Sequence, residues 1–151
     1  MNAVLPVLQS ARRIVCAGVG REGLTCRAFC MRLMHLGYDS HWVWMILLRR
    51  WVREMCFLHL RIRADRTSID DCALAKDTGA TVVCVTGVPN SDAARLSDHV
   101  VFIPASVYKA LAIWCRLCNP WAHLWETASW ILLDAIVYGL HERDILGTRK
   151  W

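Results

Sequence analysis

The sequence predicts an α/β fold: a parallel central sheet flanked by helices, in a flavodoxin- or Rossmann-like three-layer arrangement. Three observations carry that expectation. A short β-type run, Arg13-Ile14-Val15-Cys16-Ala17, ends in glycines and leads into a helical pattern. A second helical stretch, Ser68–Thr78, leads to a continuous β-branched run at Thr81–Thr86. A long amphipathic segment closes the chain's ordered pattern, with Trp125, Ser129, Leu132, Leu133, Ile136, Val137 and Leu140 on one face. Helices alternating with apolar strands build parallel sheets covered on both sides.

Taken in order, Leu24, Ala28, Met31 and Met34 recur at helical spacing after Gly18-Val19-Gly20-Arg21-Glu22-Gly23, and Gly37 stands where a C-cap belongs. Gly79 closes the second helix in the same way. The run Thr81-Val82-Val83-Cys84-Val85-Thr86 suits a strand buried on both faces. His99-Val100-Val101-Phe102-Ile103 predicts a third strand, stopped by Pro104. No repeat, low-complexity tract or linker divides the 151 residues, which hold one domain with a real core and not two.

Composition narrows the function classes. The apolar runs Trp42–Leu48 and Ala128–Leu140, the latter broken by Asp134, fall short of the roughly 20 residues that cross a bilayer. No basic start, apolar core and small-residue cleavage site stand in order at the N-terminus, so a soluble, cytoplasmic protein without membrane partners is expected. The chain is larger than disulfide-stapled scaffolds, and cysteines such as Cys16 and Cys84 sit in apolar runs, so its eight cysteines are read as reduced. The net charge of +5 is concentrated in Arg49, Arg50, Arg53, Arg61, Arg63 and Arg66, with Trp51 and Phe57 between them. A single-strand binder interleaves such residues, but the departures described below account for them better, and no nucleic-acid partner is expected. Cys115-Arg116-Leu117-Cys118 is a lone CxxC with no second pair, which does not make a zinc or redox site.

Ligands of parallel α/β sheets bind beyond the carboxyl ends of the strands. That places Gly18–Gly23 and the residues after Thr86 at the edge of a site. A glycine turn feeding a helix start offers backbone N–H groups to an anion, usually phosphate; a tight turn alone would need the same glycines. The spacing Gly18-x-Gly20-x-x-Gly23 also fits the dinucleotide fingerprint, but no acidic residue follows a second strand about 20 positions on, which disfavours a nicotinamide cofactor.

The segment RIVCAGVGREGLTCRAFCMRLMHLG at Arg13–Gly37 closely resembles the opening of the 6-phospho-3-hexuloisomerase branch of the SIS (sugar isomerase) family, where a GVGREG-type loop precedes AFAMRLMHLG. Ala75–Pro104 and LWETASWILLDAIVYGLHE at Leu124–Glu142 fit later blocks of that family, in the same order. The resemblance implies a carbonyl shift between C3 and C2 of a hexulose 6-phosphate through an enediol, with no metal and no organic cofactor. It implies a sugar-phosphate ligand and a homo-oligomer, dimer or tetramer. It places the proton-transfer carboxylate at Glu126 and phosphate contacts at Gly18, Gly20, Arg21 and Gly23, with hydroxyls at Thr67 and Ser68. Competing structural roles exist for each: a dipole-favoured acid for Glu126, a solvated loop arginine for Arg21, an N-cap for Thr67 and Ser68. Glu22 stands where many relatives carry Ser, and His35 suits a helix C-terminus rather than catalysis.

Two stretches, 45–67 and 112–124, depart from the family pattern, as does the tail. Leu60-Arg61-Ile62-Arg63-Ala64 replaces a Ser-Gly-Ser-Gly phosphate loop, and Pro120-Trp121-Ala122-His123-Leu124-Trp125-Glu126 replaces PMGSLFE. The chain ends Gly147-Thr148-Arg149-Lys150-Trp151 without the family's His-bearing tail, so that role is not carried onto His141. Reading frames shifted by one base explain the first two. The earlier frame across Trp44-Met45-Ile46 forces Asp-Asp, Trp51-Val52 forces Gly, Met55-Cys56 forces Val and Trp121-Ala122 forces Gly; the later frame at Leu60–Asp65 permits Ser-Gly-Ser-Gly-Pro. These fall at the family's positions; the alternative is a diverged paralogue. On either account, arginine-rich sequence at 45–67 conflicts with a buried sheet.

Overall fold

The computed structural model describes residues 3–45, 53–61, 66–105 and 124–146. Helix α1 (Val4–Ser10) precedes strand β1 (Arg13–Ala17), helix α2 (Arg21–His35), strand β2 (Ser40–Trp42) and a 3-10 turn at Val43–Met45. Strand β3 (Met55–Arg61), helix α3 (Arg66–Asp77), strand β4 (Thr81–Thr86), helix α4 (Asp92–Leu96), strand β5 (His99–Phe102) and helix α5 (Leu124–Leu146) follow. The sheet has the order β2-β1-β3-β4-β5, and every pairing is parallel. This is the three-layer α/β fold that the alternation of strands and helices predicts.

Alternation along the strands sorts the core into two layers. Ile14, Cys16, Leu58, Leu60, Val83 and Val85 meet Phe29 and Leu33 of α2, Leu5 and Leu8 of α1, and Trp125, Leu133, Ile136 and Leu140 of α5. Val15, Ala17, Met55, Phe57 and Val82 face the other way, onto Cys72 and Ala75 of α3. Successive residues of a strand point to opposite faces, and burial of both faces is what a parallel sheet demands. The predicted caps form: Gly37 takes φ 79°, with its N–H bonded to Met34 O and that of Tyr38 to Leu33 O, and Gly79 ends α3 in the same manner.

One expectation is corrected. The arginine-rich stretch 45–67 contains the central strand of the sheet, paired with β1 from Arg13↔Met55 to Ala17↔His59 and with β4 from Cys56↔Thr81 to Arg61↔Thr86. Residues 55–60 of β3 are buried; Arg53 stands exposed ahead of the strand, and Arg61 comes at its last position. The arginines therefore flank the strand instead of interrupting it. His59, the polar residue within it, is buried, stacks on Phe57 with ring centroids 5.8 Å apart, and lies 3.3 Å through Nε2 from Ser97 Oγ. The rest of the departing sequence, 46–52, 62–65 and 106–123, lies outside the described residues, as do Cys115 and Cys118.

Helix α1 and strand β2 carried no sequence signal strong enough to be anticipated. Helix α1 is tied to the end of α5 through Asp144, which accepts hydrogen bonds from Gln9 Nε2 at 3.2 Å and from Tyr38 Oη at 2.8 Å. No helix among the described residues is long and apolar enough to cross a membrane. The described cysteines, Cys16, Cys26, Cys30, Cys56, Cys72 and Cys84, are all free thiols.

Candidate functional site

The strand order puts a topological switch between β1 and β3. The connection from β1 runs to α2 on one face of the sheet and that from β3 runs to α3 on the other, which opens a crevice beyond their carboxyl ends. The segment Gly18–Gly20 crosses this edge. Gly20 caps α2 with φ 62° and ψ −133° and, as a glycine, supplies no side-chain cap to the helix start.

Each loop glycine has its own reason. A Cβ on Gly18 would come within 3.0 Å of the Glu22 carbonyl oxygen, and one on Gly23 within 3.0 Å of Gly18 O and 3.4 Å of the Trp42 ring. These two residues let loop and helix touch. A Cβ on Gly20 would meet nothing within 4 Å; its constraint is the positive φ, which L side chains rarely adopt. The Cys26 thiol donates to Ala17 O at 3.2 Å and fastens the helix to the end of β1.

Arg21 opens α2 and Glu126 lies in the first turn of α5, the helix packed beside it. Arg21 Nη2 is 3.0 Å from Glu126 Oε1; the carboxylate side chain is 18% exposed and the arginine side chain 49%. The structure thus joins two residues singled out independently in the sequence. They line an open cleft of about 380 Å³ with Leu24, Thr25, Thr127 and Trp130. A second cleft, about 350 Å³, lies on the β2 side of the loop, between Gly18, Gly20, Gly23, Arg27, Trp42 and Trp44. Sequence reading did not single out Arg27, Trp42, Trp44 or Trp130. For Arg27 a signal existed, since it follows Gly20 and Gly23 at helical spacing; the tryptophans carried none. Thr67 and Ser68 fall in the first turn of α3, directly after β3, with side chains outside the described residues. Of the stretch 60–64, where the resemblance places a phosphate loop, residues 62–64 lie outside them too.

Between α2 and the sheet, hydrogen bonding from Cys16, opposed by burial and aided by Ser40, lowers the pKa of the Cys30 thiol to about 7. Burial pushes Cys56 and Cys84 up to about 12, so those thiols stay protonated and inert.

No family model matches the chain. It is similar to an uncharacterised protein of Aeropyrum pernix, 33% identical over 91% of this chain and 69% of that one. It is also similar to the 3-hexulose-6-phosphate isomerase of Bacillus subtilis, 27% identical over 89% of this chain and 73% of that enzyme. A crystal structure of a hypothetical protein superposes with TM-score 0.84 at 27% identity, covering 95% of this chain and 77% of that one. The sugar isomerase domain of an RpiR transcription factor from Sphaerobacter thermophilus shares the fold, with TM-score 0.77 at 15% identity over 94% of this chain and 76% of that one. A parallel sheet covered by helices on both faces, with a glycine turn at its switch point, defines the class, a three-layer α/β domain. The chain belongs to the SIS (sugar isomerase) family, in its 6-phospho-3-hexuloisomerase-like branch.

Proposed function

We propose that the chain binds a phosphorylated ketohexose at the carboxyl edge of β1 and β3 and converts a 3-hexulose 6-phosphate to fructose 6-phosphate. In this reading Gly18, Gly20 and Gly23 shape the phosphate turn, Arg21 supplies a cation, and Thr67 and Ser68 add hydroxyls from the start of α3. Glu126 removes the proton from C2 and returns it to C3, while a proton passes from O2 to O3, so that carbonyl and hydroxyl exchange places with no net redox change. A carboxylate suits such a shuttle, and enediolate charge needs polar neighbours. The observation that carries the reading is the Arg21–Glu126 contact beside the glycine turn, in a chain of this family.

The test is an assay coupled to fructose 6-phosphate formation, run on the wild type and on Glu126→Gln. Turnover that falls by roughly 10²- to 10⁴-fold in the variant supports the role; turnover unchanged in Glu126→Gln removes it.

A second reading, a non-catalytic sugar-phosphate-binding domain, is favoured by the sequence at the end of β3. There Leu60-Arg61 stands where a hydroxyl-rich loop would begin. Ligand binding without turnover selects this reading. The shifted-frame account of 45–67 and 112–124 is tested by sequencing the transcript; an uninterrupted frame encoding this chain overturns it. We also propose a homo-oligomer, dimer or tetramer, supported by exposed Met31, Trp130, Ile131 and Tyr138 on α2 and α5. Light scattering that finds only monomer at micromolar concentration removes this part.

A further inference from the structure

We infer that the cleft on the β2 side of the glycine turn is a second binding site, for a planar aromatic anion of mononucleotide size, with Arg27 holding the charge and Trp44 stacking on the ring. The inference goes beyond the sugar-phosphate reading, whose Arg21 and Glu126 line the other cleft.

The space comes from the start of α2. Gly20, Gly23 and Arg27 stand three and four residues apart, which puts them on one side of the helix. The two glycines present bare backbone there, and a Cβ on Gly23 would already lie 3.4 Å from the Trp42 ring. The result is a cleft of about 350 Å³, walled by Trp42 and Trp44. Trp42 is buried and held in place by the parallel pairing Cys16↔Trp42, so it forms a fixed wall. Trp44 sits in the 3-10 turn after β2 and is 66% exposed. A largely exposed indole at the rim of a concavity offers one ring face to a flat ligand.

The charge comes from the same helix. Of the three arginines on α2, Arg21 is paired with Glu126 and Arg32 with Asp134, both carboxylates of α5. Arg27 lines the cleft instead, exposed and without a carboxylate partner among the described residues. No acidic residue lines this cleft, so its net charge is that of Arg27. A guanidinium fork suits phosphate or carboxylate oxygens. A bare anion would leave the indoles unused, and a neutral ring would leave the arginine unused. A ring that carries an anionic group satisfies both, which is how arginine and aromatic side chains together hold a base and its phosphate. Size narrows the class further. Small-molecule sites span about 300–1,000 Å³, and this cleft, near the lower bound, admits one ring system with its anion and not a dinucleotide.

Calorimetry on the full chain tests the site, with adenosine 5′-monophosphate as probe. Adenosine supplies the ring without the charge, and inorganic phosphate the charge without the ring; the nucleotide should bind more tightly than either. Trp44→Ala should weaken nucleotide binding by roughly five- to twentyfold, the lower part of the range for a base stacked on an aromatic side chain. Arg27→Gln should weaken it by about three- to fivefold and leave adenosine unchanged, as loss of an exposed charge contact does. Both side chains are exposed, so neither replacement threatens the fold. Nucleotide affinity should be the same with and without fructose 6-phosphate. Displacement by fructose 6-phosphate would overturn the second site and assign the nucleotide's phosphate to the sugar-phosphate cleft. A wild type that binds the nucleotide no more tightly than inorganic phosphate, or variants that both bind it as wild type does, would overturn the site and leave the sugar-phosphate reading untouched.

Discussion

Strands β1 and β3 lie side by side at the heart of the sheet, paired over five residues, and nearly every side chain of both is buried. One is conspicuous in the sequence and the other is camouflaged. Strand β1 reads Arg-Ile-Val-Cys-Ala and runs into glycine; β3 reads Met-Cys-Phe-Leu-His-Leu-Arg, follows arginines and ends without a glycine. Both satisfy what a two-sided strand needs, apolar bulk on each face, but only β1 does so with β-branched residues. Strand propensity therefore describes the fit to a surface, and Met, Cys, Phe and Leu fill that surface as well. The difference matters at the strand ends. Strand β1 delivers the chain to a glycine turn with a positive φ at Gly20, whereas β3 delivers it to an arginine.

The comparison breaks most visibly if β3 is not a working core strand. Phe57 is 1% exposed and packs with Val15, Ala17 and Val82 on the α3 side of the sheet. Phe57→Ala should cost about 3–5 kcal/mol in urea denaturation, the range for a large buried aromatic. A loss below about 1 kcal/mol would mean that this segment is peripheral in solution.

The turn after β1 sharpens the comparison by separating two roles of glycine. Gly23→Val places bulk 3.0 Å from Gly18 O and 3.4 Å from Trp42, with backbone on one side that cannot rotate away. About 1–3 kcal/mol of destabilisation follows. Gly20→Ala meets open space and carries only the strain of φ 62°, about 1 kcal/mol. Thermal melts that reverse this order would show that the loop is free to rearrange.

The elements that were legible in advance share a feature: their pattern is local. The β-branched runs at Thr81–Thr86 and His99–Phe102, the helical spacing of α2 and α5, and the caps at Gly37 and Gly79 each depend on neighbours in the chain. Arg21 and Glu126 were legible as individuals because glycine-turn chemistry and family resemblance mark them; their 3.0 Å contact was not, since it joins residues far apart in the chain. Helix α1 escaped because its seven residues make too few turns for a period to register, and β2 because three residues show no alternation. Trp42 and Trp44 belong to the stretch around β2, and their place beside the glycine turn follows from the parallel pairing Cys16↔Trp42.

Away from the site, Asp98 joins β4 to α3. Its Oδ2 accepts from the Val82 N–H at 2.9 Å and its Oδ1 from Lys76 Nζ at 2.8 Å. Burial pushes the Asp98 carboxyl up, but the bonds from Lys76 and Val82 outweigh that and hold it below the usual carboxylate range. A depressed carboxyl stabilises the fold above the unfolded-state value of about 4 and loses that contribution as pH falls through the lower folded value. Asp98→Asn should therefore cost about 1 kcal/mol at pH 7, a figure kept small because the side chain is 37% exposed. The gap between wild type and variant should narrow as the pH drops below 4. A gap constant from pH 7 to pH 3 would assign the loss to packing.

The smallest effect is expected where β1 and β3 first meet. Arg12 Nη1 lies 3.4 Å from Glu54 Oε2, and the two side chains are 79% and 66% exposed. The same two residues are joined by a backbone bond, from Arg12 N to Glu54 O at 2.9 Å, which no side-chain replacement removes. An exposed pair of this kind gains little Coulomb energy in water and is screened by salt, while holding two long side chains in place costs entropy. Arg12→Ala should therefore change stability by less than about 0.5 kcal/mol, with the remaining difference disappearing by 0.5 M salt. The backbone bond and the apolar pairing beyond it, from Ile14↔Cys56 through Cys16↔Leu58, set the register of the two strands. A loss above 1 kcal/mol that persists in high salt would place the start of β3 under the control of this ion pair, and would make the camouflaged strand dependent on a surface contact that β1 does not need.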